Sequence, residues 1–457
     1  MSLQFITGGS GAGKSEYLSR LVCEESVRRP HDNFIVVVPE QYTMETQKKL
    51  VHMHSRKGIL NIDVVSFERL AYKVFEELGG GNRPVLDDTG KNLIVRRVLE
   101  KEKKKLDYFG SSIEKTGFVS ELKSVISELL QYGITPQQLG EIGENVKEKQ
   151  QLSAKLKDIR LVYKEFMAFL STNYITSEEI LDVLCGLVEK SKLIAGSEII
   201  FDGFTGFTPI QYKLMRLLLV YSKDIKISVT IDKKERPTGH EGWNNLFFMS
   251  KEMMNRLIAI CEEEGINVDD TACVDRDTNY RYEGAKDLAY LERNLFRYKG
   301  GVYTGTPENI RIYEGSNPKE ELQYIVSEIL QLTRKEGFRY RDIAVVTADL
   351  ETYGKVAANM MKQNDIPAFL DYKRSVAANP YVEMLCSALE IVEKGYPYDT
   401  MFRYLRTGLT GISRHDIDIL ENYCLAVGIR GSRAWHEPWK KKMKRSTYQP
   451  ELETLNA

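Results

Sequence analysis

The residues with the clearest chemistry lie near the start of the chain, where positions 8–15 read Gly-Gly-Ser-Gly-Ala-Gly-Lys-Ser. Glycines at this spacing let successive backbone N–H groups curve around a polyphosphate, because no Cβ obstructs them. The lysine reaches the β- and γ-phosphates, and the hydroxyl of the next serine is a Mg²⁺ ligand. We therefore predict that this phosphate loop binds ATP and Mg²⁺ through Gly8, Gly9, Ser10, Gly11, Ala12, Gly13, Lys14 and Ser15.

The elements that flank the loop suit this role. Residues 3–7 are a short apolar stretch, which predicts a strand, and apolar residues at positions 18, 21 and 22 predict a helix that begins near residue 15. A strand, a glycine-rich loop and a helix in this order are the context in which a phosphate loop works. The alternative interpretation is a glycine-rich turn with an incidental lysine, and the flanking pattern disfavours it.

A second candidate is Asp202, which ends the apolar stretch Ile199-Ile200-Phe201. Phosphate-loop hydrolases hold Mg²⁺ with an acidic residue near such a strand, and another side chain positions the attacking water. We predict that Asp202 supports the metal together with Ser15. The next residue is Gly203, so a glutamate at that position is missing and little hydrolysis is expected. The alternative role for Asp202 is to cap a turn before Gly203.

The order of elements predicts an α/β fold built on a doubly wound parallel sheet. Continuous apolar, β-branched runs at 33–39, 62–65, 197–202 and 225–231 are typical of strands buried on both faces, and amphipathic helices separate them. A second α/β region follows, with strands expected at 310–314, 342–347 and 366–370. The predicted domains are a phosphate-loop domain (1–90 and 193–235), a helical insertion (91–192), a linking segment (236–303), part of a second α/β domain (304–390) and a helical subdomain (391–457).

Composition sets few limits on function. The chain has 64 Lys and Arg against 65 Asp and Glu, and this near-neutral total neither supports nor excludes nucleic acid as a partner. The six cysteines show no C-x-x-C spacing, which indicates reduced thiols and no metal or disulfide framework. No apolar stretch approaches the ~18 residues of a membrane span. Since Met1 also runs straight into the first strand, we expect a cytoplasmic protein with no membrane contact.

Taken together, these motifs resemble superfamily 1 DNA helicases of the UvrD type, in which a helical domain is inserted into the first motor domain. A narrower similarity is to the AddB family, whose members belong to ATP-dependent helicase/nuclease complexes. It rests on the phosphate loop, Val-Pro-Glu-Gln at 38–41, Phe-Asp-Gly-Phe-Thr-Gly-Phe-Thr-Pro at 201–209, Glu-Asn-Tyr at 421–423 and Gly-Ile-Arg-Gly at 428–431. The string Asp-Gly-Phe-Thr-Gly-Phe is its most specific part.

The resemblance implies a subunit that keeps a motor fold without an efficient motor. Family members act in double-strand break repair by homologous recombination, on single-stranded and duplex-end DNA, beside the AddA helicase/nuclease subunit. Their nuclease region, with an iron–sulfur cluster held by four cysteines, has no counterpart in these 457 residues. Nor does a glutamine that reads adenine precede the first strand. Residues 291–297 loosely resemble the motif that offers an arginine to the γ-phosphate, although a solvated helix end explains them better.

DNA contacts are expected in loops at the carboxyl ends of strands, where open α/β sheets bind their ligands. Gln41 and Tyr42 lie in one such loop, and Phe67 and Arg69 lie in another. Tyr42 and Phe67 are candidates to stack on bases, with core packing as the alternative, equally weighted for Phe67.

The leading hypothesis is therefore a DNA-repair subunit that binds ATP, Mg²⁺ and single-stranded DNA and hydrolyses little by itself. Three alternatives stay open at this point. One is an active ATP-dependent DNA helicase, and another is a phosphate-loop phosphotransferase. The third is an interaction scaffold whose phosphate loop is a relic.

Overall fold

The computed structural model describes residues 1–79, 84–115, 117–146, 149–235, 242–297, 300–371, 376–443, 450 and 455. The chain divides into two units, Met1–Arg311 and Ile312–Ala457. The finer domain boundaries suggested by the sequence stay predictions.

The first unit is built on a parallel sheet, as predicted. Within the described residues the main sheet has seven strands in the order β3-β2-β6-β7-β1-β8, with β9 also paired to β1, and β4 and β5 form a separate pair. Apolar side chains cover both faces, and all five residues of β6 are buried. The strands are β1 (Ser2–Gly8), β2 (Asn33–Val37), β3 (Ile62–Val65), β4 (Val85–Leu86), β5 (Ile175–Thr176), β6 (Ser197–Phe201), β7 (Ile225–Thr230), β8 (Asn267–Val268) and β9 (Ala272–Cys273).

The strand order brings the candidate residues to one edge. Every pairing in this sheet is parallel, so the carboxyl ends of β1, β6 and β7 lie side by side. Gly8 at the end of β1 is in register with Thr230 of β7. Phe201, the residue before Asp202, is in register with Ile227, the residue before Ser228. The phosphate loop, Asp202 and Ser228 therefore share one end of the sheet.

Helices cover the sheet and form a cluster between β4 and β5. Those that cover or follow the sheet are α1 (Lys14–Arg28), α2 (Thr43–Met53), α3 (Phe67–Leu78), α8 (Ile180–Cys185), α9 (Lys192–Ala195), α10 (Pro209–Tyr221), α11 (Phe248–Glu264) and α12 (Lys286–Asn294). The cluster consists of α4 (Asp88–Glu102), α5 (Phe118–Gln131), α6 (Pro136–Asn145) and α7 (Gln150–Asn173). It has a hydrophobic core of its own that includes Leu99, Val162 and Phe166.

The described part of the second unit contains helices and no strand. The helices are α13 (Pro318–Lys335), α14 (Leu350–Gln363), α15 (Pro380–Glu393), α16 (Tyr398–Leu405), α17 (Arg414–Val427) and α18 (Ser432–His436). The strands expected at 310–314, 342–347 and 366–370 are therefore wrong, and with them the α/β character of region 304–390. Ile343 has extended dihedral angles (φ −113°, ψ 129°), yet it pairs with no strand in the part of the chain that the structure describes. Apolar, β-branched residues favour extended backbone, but a strand also needs a hydrogen-bonded partner.

No helix among the described residues has the length and apolar character needed to cross a membrane. Of the region 391–457, residues 444–449, 451–454 and 456–457 lie outside the described part.

Candidate nucleotide site

The phosphate loop connects β1 to α1 and needs glycine at two positions. Gly11 has φ +71° and Gly13, which precedes α1, has φ +95°. A Cβ is strained in this left-handed region, so these backbone angles favour glycine. The loop thereby reaches the first turn of α1 in a tight curve.

Four backbone N–H groups of the loop are free to donate hydrogen bonds to a ligand. Within the described part of the chain, the backbone N–H groups of Gly11, Gly13, Lys14 and Ser15 have no hydrogen-bond acceptor, and no side chain caps α1. The first N–H groups of a helix need a partner from outside the helix, and the helix dipole favours an anion there. Phosphate oxygens fit this requirement.

The side chain of Lys14 is hydrogen-bonded to the phosphate loop. Its Nζ donates to the carbonyl oxygens of Gly8 and Gly9, at 2.9 Å each. Burial lowers the pKa of Lys14, whereas the nearby carboxylates of Asp202, Asp275 and Glu292 act to raise it. The amine therefore lies in a partly dehydrated pocket, where a phosphate group would stabilise its charged form.

Asp202 follows β6 and faces the loop across a cavity of about 390 Å³ that Lys14, Ser15 and Ser228 also line. Its Oδ1 accepts a hydrogen bond from Ser228 Oγ at 2.5 Å. Neither Asp202 Oδ2 nor Ser15 Oγ has a hydrogen-bond partner among the described residues. One carboxylate and one hydroxyl, completed by phosphate oxygens, make the donor set that Mg²⁺ takes in nucleotide sites. The residues present therefore fit Mg²⁺.

The described residues that line the cavity include few acidic side chains. Gly203, next to Asp202, has φ +84°, and a Cβ there would stand 3.5 Å from Pro39 Cδ. The acidic residues that line the described cavity are Asp202 and Glu16, and Glu16 is ion-paired with Lys49 at 3.0 Å. The described lining of the cavity thus offers ligands for phosphate and Mg²⁺ and only these two acidic residues.

Comparison with known proteins identifies the family. Residues 5–292 match the family model described as "ADDB, N-terminal". The chain belongs to the AddB family. It is 42% identical to a protein of Lachnoclostridium phytofermentans over 100% of this chain and 40% of the relative. It is 36% identical to one of Clostridioides difficile over 99% of this chain and 39% of the relative.

A protein of Clostridium novyi is 34% identical over 96% of this chain and 38% of the relative. All three relatives are named as the B subunit of an ATP-dependent helicase/deoxyribonuclease. The chain spans about 40% of the length of these curated relatives.

One part of the site in this AddB-family chain has no signal in the sequence. Residues 275–281, which we call the capping segment, lie between β9 and α12 and cover the outer side of the phosphate loop. The pairing of β9 with β1 places this segment beside the loop. Arg297, from the stretch 291–297, pairs instead with Asp232 at 3.3 Å.

The predicted DNA-facing residues separate into two groups. Gln41 and Tyr42 are exposed after β2, and Arg69 is exposed with its Nε 3.0 Å from Glu40 Oε1. Phe67 is 7% exposed, and its ring packs against the rings of Phe201, Phe204 and Phe207. Because the ring of Phe67 is packed in the core, it is not exposed to stack on a base, and the structure corrects this prediction.

A substitution at Gly11 tests whether the capping segment presses on the loop. A Cβ at Gly11 would stand 2.5 Å from Arg281 Cβ, whereas a Cβ at Gly79, with a similar φ of +76°, would meet nothing within 4 Å. Both Gly→Ala variants introduce backbone strain, but only Gly11→Ala must also displace a neighbour. We expect Gly11→Ala to lower the free energy of unfolding by about 1–3 kcal/mol more than Gly79→Ala in urea titrations. Equal losses would contradict the described contact.

Proposed function

We propose that this chain is the part of an AddB protein that binds ATP and Mg²⁺ in a degenerate UvrD-type motor fold. The observation that carries the proposal is the convergence of unpartnered N–H groups, Lys14 and the free oxygens of Ser15 and Asp202 on one cavity. Donors, a cation and metal ligands in this arrangement complement a nucleoside triphosphate. When bound, Mg²⁺ would neutralise phosphate charge, while Lys14 and the loop fix the position of the phosphates.

The whole protein would act in a complex. The names of the relatives describe one component of a helicase/deoxyribonuclease, which supports a role beside an AddA protein on DNA ends during double-strand break repair. Because the acidic residues of the cavity offer no free base, this chain would hold ATP with little turnover and serve for DNA scanning and scaffolding. Translocation would then depend on the partner protein.

The metal requirement tests the nucleotide part of this proposal. Asp202→Asn keeps the shape of the side chain and removes its charge, so we expect affinity for ATP in the presence of Mg²⁺ to fall about tenfold, the equivalent of ~1.4 kcal/mol. Affinity in excess EDTA should not change. The control is Asp63→Asn. Asp63 lies on β3 and does not line the cavity, and its carboxylate pairs with Lys73 of α3. An Asp202→Asn variant that binds ATP and Mg²⁺ like the wild type would refute the metal role.

The DNA part has a test of its own. Tyr42 is 48% exposed at the carboxyl edge of the sheet, beside Gln41 and near the cationic Arg69. Base stacking on an aromatic ring is worth ~1–3 kcal/mol, so Tyr42→Ala should lower the affinity for an oligothymidylate roughly fivefold or more in anisotropy titrations. Tyr132→Ala, which removes a 58% exposed tyrosine after α5, is the matched control. Equal affinities of the two variants would exclude Tyr42 from the DNA contact.

A further inference from the structure

A run of three lysines in the second unit lies between two side chains that pack into a hydrophobic core. Residues 440–442 are Lys-Lys-Lys, and all three are exposed. Trp439 before the run and Met443 after it pack against the cluster that buries Tyr423. Because both ends are anchored, the run is held at the surface of this unit. We call residues 439–443 the lysine strap.

Ring contacts and hydrogen bonds fix the backbone of the lysine strap. The centroid of the Trp439 ring lies 5.5 Å from that of Tyr423 and 5.4 Å from that of Trp435. Trp439 Nε1 donates to the carbonyl oxygen of Ala434 at 2.7 Å. Tyr423 Oη donates to the carbonyl oxygen of Lys441 at 2.7 Å, which ties the middle of the run to the core. The strap thus presents its charges from an ordered backbone, and this limits the entropy lost when a ligand binds.

The three ammonium groups of the strap are unpaired within the described part of the chain. Glu437, the acidic residue nearest to them along the sequence, is 2.8 Å from the guanidinium of Arg433 instead. Exposed lysines that find no carboxylate within the protein are available to a polyanion. The strap therefore offers three neighbouring positive charges to a ligand.

The aromatic residues beside the strap do not serve as a platform for bases. Trp435 and Trp439 pack against one another and against Phe402 and Tyr423 in the hydrophobic cluster. Surfaces that hold single strands combine positive charge with exposed rings on which bases stack. Charge alone suits a duplex, whose bases are already stacked and which carries one phosphate charge per about 1.7 Å of its axis.

We propose that the lysine strap binds the phosphate backbone of duplex DNA without reading its sequence. The inference rests on the role on DNA ends under the proposed function, and it adds a duplex contact to the single-strand contact proposed for Tyr42. Lysine suits this task because its compact charge neutralises a phosphate in many orientations. Each contact would release a counterion from the duplex, so binding would weaken steeply as the salt concentration rises.

Anisotropy titrations of the 457-residue chain with a labelled blunt-ended duplex, over a range of salt concentrations, test the inference. The triple variant Lys440→Gln, Lys441→Gln, Lys442→Gln is expected to bind the duplex about tenfold or more weakly at low salt. The slope of log affinity against log salt should become shallower by about 2–3, because each phosphate contact contributes about 0.9. Replacement of the same three lysines by arginine keeps the charge and should leave the affinity within about threefold of the wild type.

The matched control is the other run of three lysines, at 103–105, which is also exposed. Two of its members are paired, Lys103 with Glu114 at 3.0 Å and Lys105 with Glu102 at 2.6 Å. The triple variant Lys103→Gln, Lys104→Gln, Lys105→Gln removes the same net charge and should keep both the duplex affinity within about twofold and the salt slope of the wild type. Thermal unfolding of every variant shows whether the fold is kept.

Each outcome decides the inference. An unchanged affinity and salt slope in the glutamine variant of the strap would exclude the contact, and equal losses in the two glutamine variants would show an effect of net charge alone. A loss that arginine does not restore would contradict a contact based on charge. A wild-type chain that does not bind the duplex would also overturn the inference. In all these cases oligothymidylate binding that depends on Tyr42 would leave the proposed function standing.

Discussion

Lys14→Ala is expected to weaken binding of ATP with Mg²⁺ by about 100-fold or more. The Nζ group now shared by the carbonyls of Gly8 and Gly9 is the ammonium that faces the cavity. Hydrogen bonds to charged groups contribute about 1.5–3 kcal/mol each, so the loss of two phosphate contacts amounts to ~3 kcal/mol or more. Since each 1.4 kcal/mol is about tenfold in affinity, the effect is at least two orders of magnitude.

Two comparisons make the result interpretable. Lys49→Ala removes a lysine that pairs with Glu16 from outside the loop, and we expect its affinity to stay within about twofold of the wild type. Lys14→Ala should also retain the far-ultraviolet circular dichroism spectrum of the wild type, because the hydrogen bonds of the side chain within the described residues go to the loop that precedes it. If Lys14→Ala binds ATP as tightly as the wild type, the loop is a relic and the chain is better described as an interaction scaffold.

ATP hydrolysis by this chain is expected to be slower by about 10²–10⁴-fold than in a motor with a positioned base, which is the usual contribution of general acid–base catalysis. Gly203→Glu should not restore it. The backbone there has φ +84°, and a non-glycine residue in this region costs about 1–2 kcal/mol, so the glutamate would be strained and misdirected. Phosphate release with single-stranded DNA present measures the rate, and urea unfolding measures the strain.

Gly203→Ala separates the two effects, because it introduces the strain without the carboxylate. We expect both variants to lose similar stability and to hydrolyse ATP at a rate within about threefold of the wild type, since neither supplies a base in the geometry that catalysis requires. A large rate increase confined to Gly203→Glu would show that the site is an intact hydrolase lacking one side chain. That result would favour an active helicase ancestor with a recent loss over a site shaped for binding.

The sequence predicts local features of this protein well. The phosphate loop can be predicted because its glycines adopt the positive φ angles that the loop itself requires. The strands of the main sheet can be predicted because burial on both faces requires continuous apolar runs. The parallel α/β sheet is confirmed. The structure also brings Lys14, Ser15 and Asp202, which are far apart in the chain, to one cavity.

Features that depend on distant partners were not predictable in the same way. The run at 342–347 has β propensity, but nothing local supplies a neighbouring strand, and Val346 is 91% exposed. The sequence leaves the role of Phe67 open, because the burial of its ring depends on Phe201 and Phe204 at the carboxyl end of β6. Arg281 lies in the capping segment, which the pairing of β9 with β1 places beside the loop. Topology, rather than composition, decides all three.

The most direct test of the central claim is to identify the nucleotide that stays bound. The chain is incubated with radiolabelled ATP, Mg²⁺ and single-stranded DNA, passed through a desalting column, and the retained nucleotide is separated by chromatography. We predict that the wild type retains mainly intact ATP and that Lys14→Ala retains almost none. In the proposed function the site would hold the triphosphate, and the acidic residues of its described lining are the metal-side Asp202 and the ion-paired Glu16. Retention of ADP with rapid release of phosphate, or no difference between wild type and Lys14→Ala, would contradict the account.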